Sequence, residues 1–326
     1  MSRSKYELGK EVSLRDVYGD YLVELGKKYP NIIVIDADLS SSTKANKFGK
    51  EFKQRYLNVG ISETLMQLMA SGIASEDYKV YTNTFAIFAV KGAEKILQAI
   101  ARDKRDVKII GTHGGISVGE DGDSHQGIND IAVMRSIPGL YVFCPADAVE
   151  LESMLDFTAE DKTPTYIRIS RNKLPVIHNP EYKFQPGRAS VFEIKPAQKK
   201  GKTVTIISYG DTVHSSLDAA KSLAKYDEIN PVVVNMSSIE PIDKEVLREA
   251  KEKSKIIITV EDHVWSGGLG EAVGRVMLED DVKNPDLKFK TIALMGFAES
   301  GSWKDLYKKY GLDKDHITRC IIEMVK

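Results

Sequence analysis

Short apolar runs of strand length alternate with segments of helical period along the whole chain, and this alternation restricts the fold more than any other feature. In the first half Asn31–Asp36, Arg55–Val59, Lys79–Thr82, Val107–Gly111, Tyr141–Cys144 and Thr165–Ile169 read as strands. Between them Val12–Lys28, Thr64–Ala74, Thr84–Ala101, Ile128–Arg135 and Asp147–Thr158 carry apolar residues at helical spacing. The second half repeats the pattern, with strands at Thr203–Ser208, Pro231–Met236, Lys255–Glu261 and Lys288–Ile292. Its helices are expected at Thr212–Ala224, Asp243–Ala250 and Gly268–Leu278, followed by two short terminal ones. Runs that are apolar throughout suit strands covered on both faces. The chain is therefore predicted to be an α/β protein of two domains with mainly parallel sheets. Leu174–Ala197 contains Pro175, Pro180, Pro186 and Pro196 and has no clean period, as expected of an interdomain segment. The predicted domains are residues 1–185, with the connecting segment running to about 200, and residues 201–326.

Composition narrows the function classes. Lys+Arg number 46 against 47 Asp+Glu, so no global field favours nucleic acid or a membrane surface, and an anionic ligand must be met by local arginines. No apolar run approaches the length of a membrane span. Cys144 and Cys320 stand far apart in apolar stretches, as buried free thiols of a reducing compartment would, and a cytoplasmic location is expected.

Chemistry concentrates in Thr112–Gly127, THGGISVGEDGDSHQG, directly after a predicted strand. It combines His113, His125, Glu120, Asp121 and Asp123 with closely spaced glycines. Ligand sites of open α/β sheets lie beyond the carboxyl ends of strands, and glycine lets backbone approach a ligand closely. Four further segments follow strands and would gather at the same edge: Ala37–Thr43, Gly60–Glu63, Thr84–Phe88 and Ser170–Arg171. Taken singly, each has a plain structural use. Glu63 in the first turn of a helix complements its dipole, Phe85 and Phe88 fit core packing, and Ser40–Thr43 fits a cap. Neither Cys-x-x-Cys nor His-Glu-x-x-His occurs, so no metal bound by this chain alone is expected. No Gly-x-x-x-x-Gly-Lys-Ser/Thr occurs, and Gly267-Gly268-Leu269-Gly270 lacks full dinucleotide spacing.

In this order, Ala37-Asp38-Leu39, Tyr56–Glu63, Tyr81–Phe88, Gly119-Glu120-Asp121-Gly122 with His125-Gln126, and Ser170-Arg171-Asn172 resemble the C-terminal half of transketolases, from about Leu14 to the end of the chain. The resemblance implies a pyrimidine-binding domain for thiamine diphosphate followed by a transketolase C-terminal domain. Gly-Asp-Gly, which the family's diphosphate domain carries, does not occur here. A split enzyme is therefore expected. A separate N-terminal subunit would supply the diphosphate site and the ligands of Mg2+ or Ca2+, and this chain would also self-associate.

The resemblance further implies roles. Glu63 matches the carboxyl group that pairs with the pyrimidine, Phe85 and Phe88 match the aromatics packed on it, and Ile61 and Asp38 match cofactor contacts. His113 and His125 match groups that donate to oxyanions and exchange hydroxyl protons near neutral pH. Asp121, Arg171, Ser42 and Arg15 match contacts to a sugar phosphate. The implied reaction moves a two-carbon ketol unit from a ketose phosphate to an aldose phosphate. Lys91 stands where many members have an aromatic, and Asp123-Ser124 replaces Pro-Thr. A deoxyxylulose-phosphate synthase, the β subunit of a two-oxoacid dehydrogenase and a non-catalytic assembly subunit are the alternatives.

Overall fold

The computed structural model describes residues 5–194 and 201–326. The first sheet has seven strands in the order Ser238–Glu240, Tyr141–Phe143, Thr165–Ile169, Val107–Thr112, Lys79–Phe85, Ile32–Asp36 and Tyr56–Asn58. All its neighbours are parallel except the first pair. Register divides the side chains between two cores. Ile109 lies opposite Tyr166 in one buried cluster, while Ile110 lies opposite Ile167 in the other. Strands apolar on both faces are explained by helices on both faces, and each fully buried aliphatic contributes about 1.5–3 kcal/mol.

The second sheet has five strands in the order Lys288–Leu294, Ile256–Val264, Lys202–Ser208, Ile229–Asn235 and Ser190–Glu193. It is parallel apart from the Ser190–Glu193 edge. Ile207, Val234 and Ile257 from this sheet share a core with Val142 and Cys144 of the first. The two halves are thus packed together.

Three segments differ from expectation. The strand at Lys79 runs on to Phe85 because Asn83, Thr84 and Phe85 stay in register with Ile110, Gly111 and Thr112. The helix that follows begins only at Ala86 and is interrupted by a 3-10 turn at Val90–Gly92 and a π segment at Ile96–Ala101. Within the proline-rich connection Lys173–Pro175 pairs with Glu11–Ser13, and Ser190–Glu193 pairs with Ile229–Asn235. Short edge strands tolerate proline nearby and leave no long periodic run to read. Residues 195–200, where that segment was expected to end, lie outside the described residues. Ser238–Glu240 was not anticipated: it leaves the second half to close the edge of the first sheet.

Candidate functional site

The carboxyl ends of the first sheet's parallel strands bring most of the singled-out residues together. Phe85 ends its strand in an extended conformation, and Phe88 follows in the first helical turn, so both rings leave the backbone on one side. Their planes are 9° apart with centroids 5.6 Å apart. His113 stacks on Phe85 at 3.9 Å, and His125 meets Phe88 edge-on at 5.6 Å. Two flat apolar rings flanked by imidazoles form an aromatic wall against which a heterocycle can pack.

Glu63 is the first residue of the Glu63–Ala74 helix and only 6% exposed. A carboxylate there gains from the helix dipole but loses hydration. Its Oε1 is 3.2 Å from Lys91 Nζ, and that ammonium also lies 4.6 Å from the centre of the Phe88 ring. Among the described residues, no other side chain forms an ion pair with Glu63. The carboxylate, Lys91 and the aromatic pair therefore form one cluster.

A second cluster surrounds His113. Arg15 Nη1 donates to Ser42 O at 3.0 Å and to His113 Nε2 at 3.2 Å. His113 Nδ1 is 2.9 Å from Thr112 Oγ1, which donates to Thr84 O. With Nε2 accepting from a guanidinium, the ring proton belongs on Nδ1. Burial, then the positive Arg15 and Arg171, then His125, push the His113 imidazolium down to about 3. That corrects the expectation that His113 exchanges protons near neutral pH: it is a neutral ring held by Arg15. His125 Nδ1 is 2.9 Å from Ser124 Oγ, so the residue replacing threonine still orients this ring.

Arg171 donates to Val118 O and lies 3.5 Å from Glu120 Oε2 and 3.7 Å from Asp121 Oδ2. Two positive-φ glycines, Gly119 and Gly122, let the acidic loop double back. A Cβ on Gly119 would come 3.3 Å from Gly301 O. The second half holds the loop there: Ser300 Oγ donates to Glu120 O, and Gln126 Nε2 donates to Glu299 O.

Asp38 and Ile61 sit at the margin. Asn58 Oδ1 accepts from the backbone of both Asp38 and Gly60, tying the two turns together, and Asn58 Nδ2 donates to Asp38 Oδ1. Ile61 is 81% exposed. This expected cofactor contact is open to solvent here.

Several contributors had no local signal. Asp36 accepts from Leu39 N and Thr43 Oγ1, and burial raises it to about 6. Asp262 Oδ1 accepts from Ile116 N and its Oδ2 from Tyr307 OH, both at 2.9 Å. Gly115-Ile116-Ser117-Val118-Gly119 has the spacing of a nucleophile elbow, but Ser117 is buried and donates to Gly114 O. It stands on a 3-10 turn rather than a strand-to-helix elbow. Among the described residues no group of three or more His, Cys, Asp or Glu side chains can hold a metal ion, and no helix is long and apolar enough to cross a membrane.

Known proteins match this chain in sequence and in fold. The family described as transketolase, pyrimidine binding domain, matches residues 10–176, and that described as transketolase, C-terminal domain, matches residues 195–317. A protein described as a transketolase C-terminal section, from Methanocaldococcus jannaschii, is 38% identical over 316 residues, covering 96% of each chain. Transketolase of Mus musculus is 34% identical over 322 residues, which are 98% of this chain and 50% of that protein. The chain thus spans about half the length of that relative. A solved structure described as a split gene transketolase, inactive beta4 tetramer, superposes with a TM-score of 0.85 at 35% identity, covering 96% of this chain and 98% of that one. Transketolase from Campylobacter jejuni superposes with a TM-score of 0.80 at 25% identity, covering 98% and 49%.

Proposed function

Because the chain belongs to the transketolase family, we propose that it is one subunit of a two-chain, thiamine-diphosphate-dependent transketolase. This subunit provides the pyrimidine end of the cofactor site and part of the sugar site. A separate N-terminal chain provides the diphosphate end and the ligands of Mg2+ or Ca2+. The reaction transfers a two-carbon ketol unit from a ketose phosphate to an aldose phosphate in the cytoplasm. The observation that carries this reading is the buried Glu63 carboxyl at a helix start, beside the parallel rings of Phe85 and Phe88.

These residues fit the pyrimidine: an acidic group in a low-dielectric recess adjoins flat apolar faces. When bound, thiamine diphosphate supplies a nucleophilic thiazolium carbon that takes up and passes on the two-carbon unit. Glu63 would hold the pyrimidine ring nitrogen through its carboxyl group, and Phe85 and Phe88 would pack the ring. Ile61 and Asp38 would border the cofactor from the linked turns. Arg15, Arg171 and the Ser42 turn would bind the phosphate end of the sugar, where a guanidinium fork matches phosphate oxygens. Neutral His113, bonded through Nδ1 to Thr112 and through Nε2 to Arg15, would hold the Arg15 guanidinium toward the sugar without changing charge. Proton exchange with sugar hydroxyls would fall to His125, and Asp121 would accept from a hydroxyl.

The experiment is reconstitution with the diphosphate-domain chain. The complex should convert xylulose 5-phosphate plus ribose 5-phosphate, whereas this chain alone should not. The related split-gene structure, described as an inactive tetramer, supports the second half of that expectation. Turnover of pyruvate plus glyceraldehyde 3-phosphate instead would assign the synthase chemistry and overturn the proposal.

A further inference from the structure

We propose that Lys91 is a latch on the pyrimidine site, resting on the reading above. It contacts both the Glu63 oxygen and the Phe88 face that the ring needs, and so sets how tightly thiamine diphosphate is taken up. The contacts are specific. Lys91 Nζ is 3.2 Å from Glu63 Oε1 and 4.6 Å from the Phe88 ring centre. An ammonium in that position engages one carboxylate oxygen and lies over the ring in a cation–π contact.

The backbone of Lys91 is held in place while its side chain is open to solvent. The 3-10 turn Val90–Gly92 places it, and Thr64 Oγ1, in the first turn of the Glu63 helix, donates to Lys91 O at 3.3 Å. Gly92 packs so closely that a Cβ there would lie 2.7 Å from Gln67 Cγ. The Lys91 side chain nevertheless stays 54% exposed, against 8% for that of Glu63. A buried carboxylate needs a partner, and an exposed ammonium gives one up at little cost because water replaces the contact. The pair is therefore built for exchange rather than for rigidity. A ring packing there takes over the Glu63 hydrogen bond and the Phe88 face, and the ammonium swings into solvent.

The test is thiamine diphosphate binding to the two-chain complex with Mg2+, measured by calorimetry. Lys91→Met keeps length and apolar contact but removes the charge, and should tighten binding roughly three- to tenfold, the combined scale of one exposed ion pair and one cation–π contact. Lys91→Arg keeps the cation and should stay within about twofold of the unmodified complex. Before cofactor is added, Lys91→Met should lower the melting temperature, since the Glu63 carboxylate then lacks its counter-charge. Unchanged or weaker cofactor binding in Lys91→Met overturns the latch. Glu63→Gln is the companion measurement. If it weakens binding while Lys91→Met has no effect, the latch alone fails; if Glu63→Gln leaves binding unchanged, the pyrimidine-site reading falls and the latch with it.

Discussion

His113 shows how much of a residue's chemistry is set by its neighbours. An unperturbed histidine titrates near 6.5, but this ring is buried on Phe85 and faces Arg15, with Arg171 adding to the positive field. The ring should therefore stay neutral through the physiological range. Nitrogen NMR of the chain at pH 5 should find a neutral His113 with its proton on Nδ1, and titration near pH 6.5 would contradict the geometry. Arg15 and Arg171 carry the complementary prediction. Arg171→Ala removes a charged hydrogen-bonding group worth about 1.5–3 kcal/mol. The complex should show KM for the sugar phosphate raised at least tenfold, with thiamine diphosphate affinity unchanged. A weakened cofactor affinity with normal KM would place Arg171 elsewhere in the site.

At the scale of elements, the Glu63–Ala74 helix is the informative one. Its apolar residues Leu65, Leu68, Met69 and Ile73 are legible as a stripe, yet Leu65 and Leu68 are exposed, and the covered face instead carries Met66, Ala70 and Ala74. A helix apolar on both sides is normally covered on both sides. Leu65→Glu should leave the circular dichroism of the isolated chain unchanged and shift its sedimentation toward monomer; unaltered assembly would show that this stripe is not an interface. The strand-helix order, the loop at Gly119–His125 and the aromatic pair could all be read from contiguous residues. The links that assemble them could not. Glu63 and Lys91 are 28 residues apart, and Ile116 and Asp262 are 146 apart. No local period encodes such contacts, and the strand extension through Phe85 depends on partners in the next strand.

Across the whole molecule, the halves are joined by buried polar groups as well as by a shared core. Asp262 ties the site loop at Ile116 to the helix bearing Tyr307. Asp262→Ala leaves a buried amide and a phenol without a partner, and urea unfolding should show a loss of about 1–3 kcal/mol per orphaned group. His178 fastens the connection between the halves, with Nδ1 3.1 Å from Asp147 Oδ2 and Nε2 3.0 Å from Ser190 Oγ. Burial alone would lower His178, but Glu150 and Asp147 outweigh it and raise the ring, while the same contacts bring Asp147 down despite its burial. The raised histidine contributes stability that is full below about 6.5 and fades as pH climbs through its folded value. The depressed Asp147 contributes above about 3.9 and fades as pH falls through its own. The contribution of this pair should therefore be flat between those limits, and His178→Gln should remove its decline on the alkaline side; an unchanged profile would dismiss the pair as a pH-dependent fastener. The claim on which the account turns is narrower. In the two-chain complex, Glu63→Gln should preserve assembly and fold while abolishing ketol transfer from xylulose 5-phosphate to ribose 5-phosphate. Full transfer activity in that variant would contradict the assignment of this carboxyl group to the cofactor.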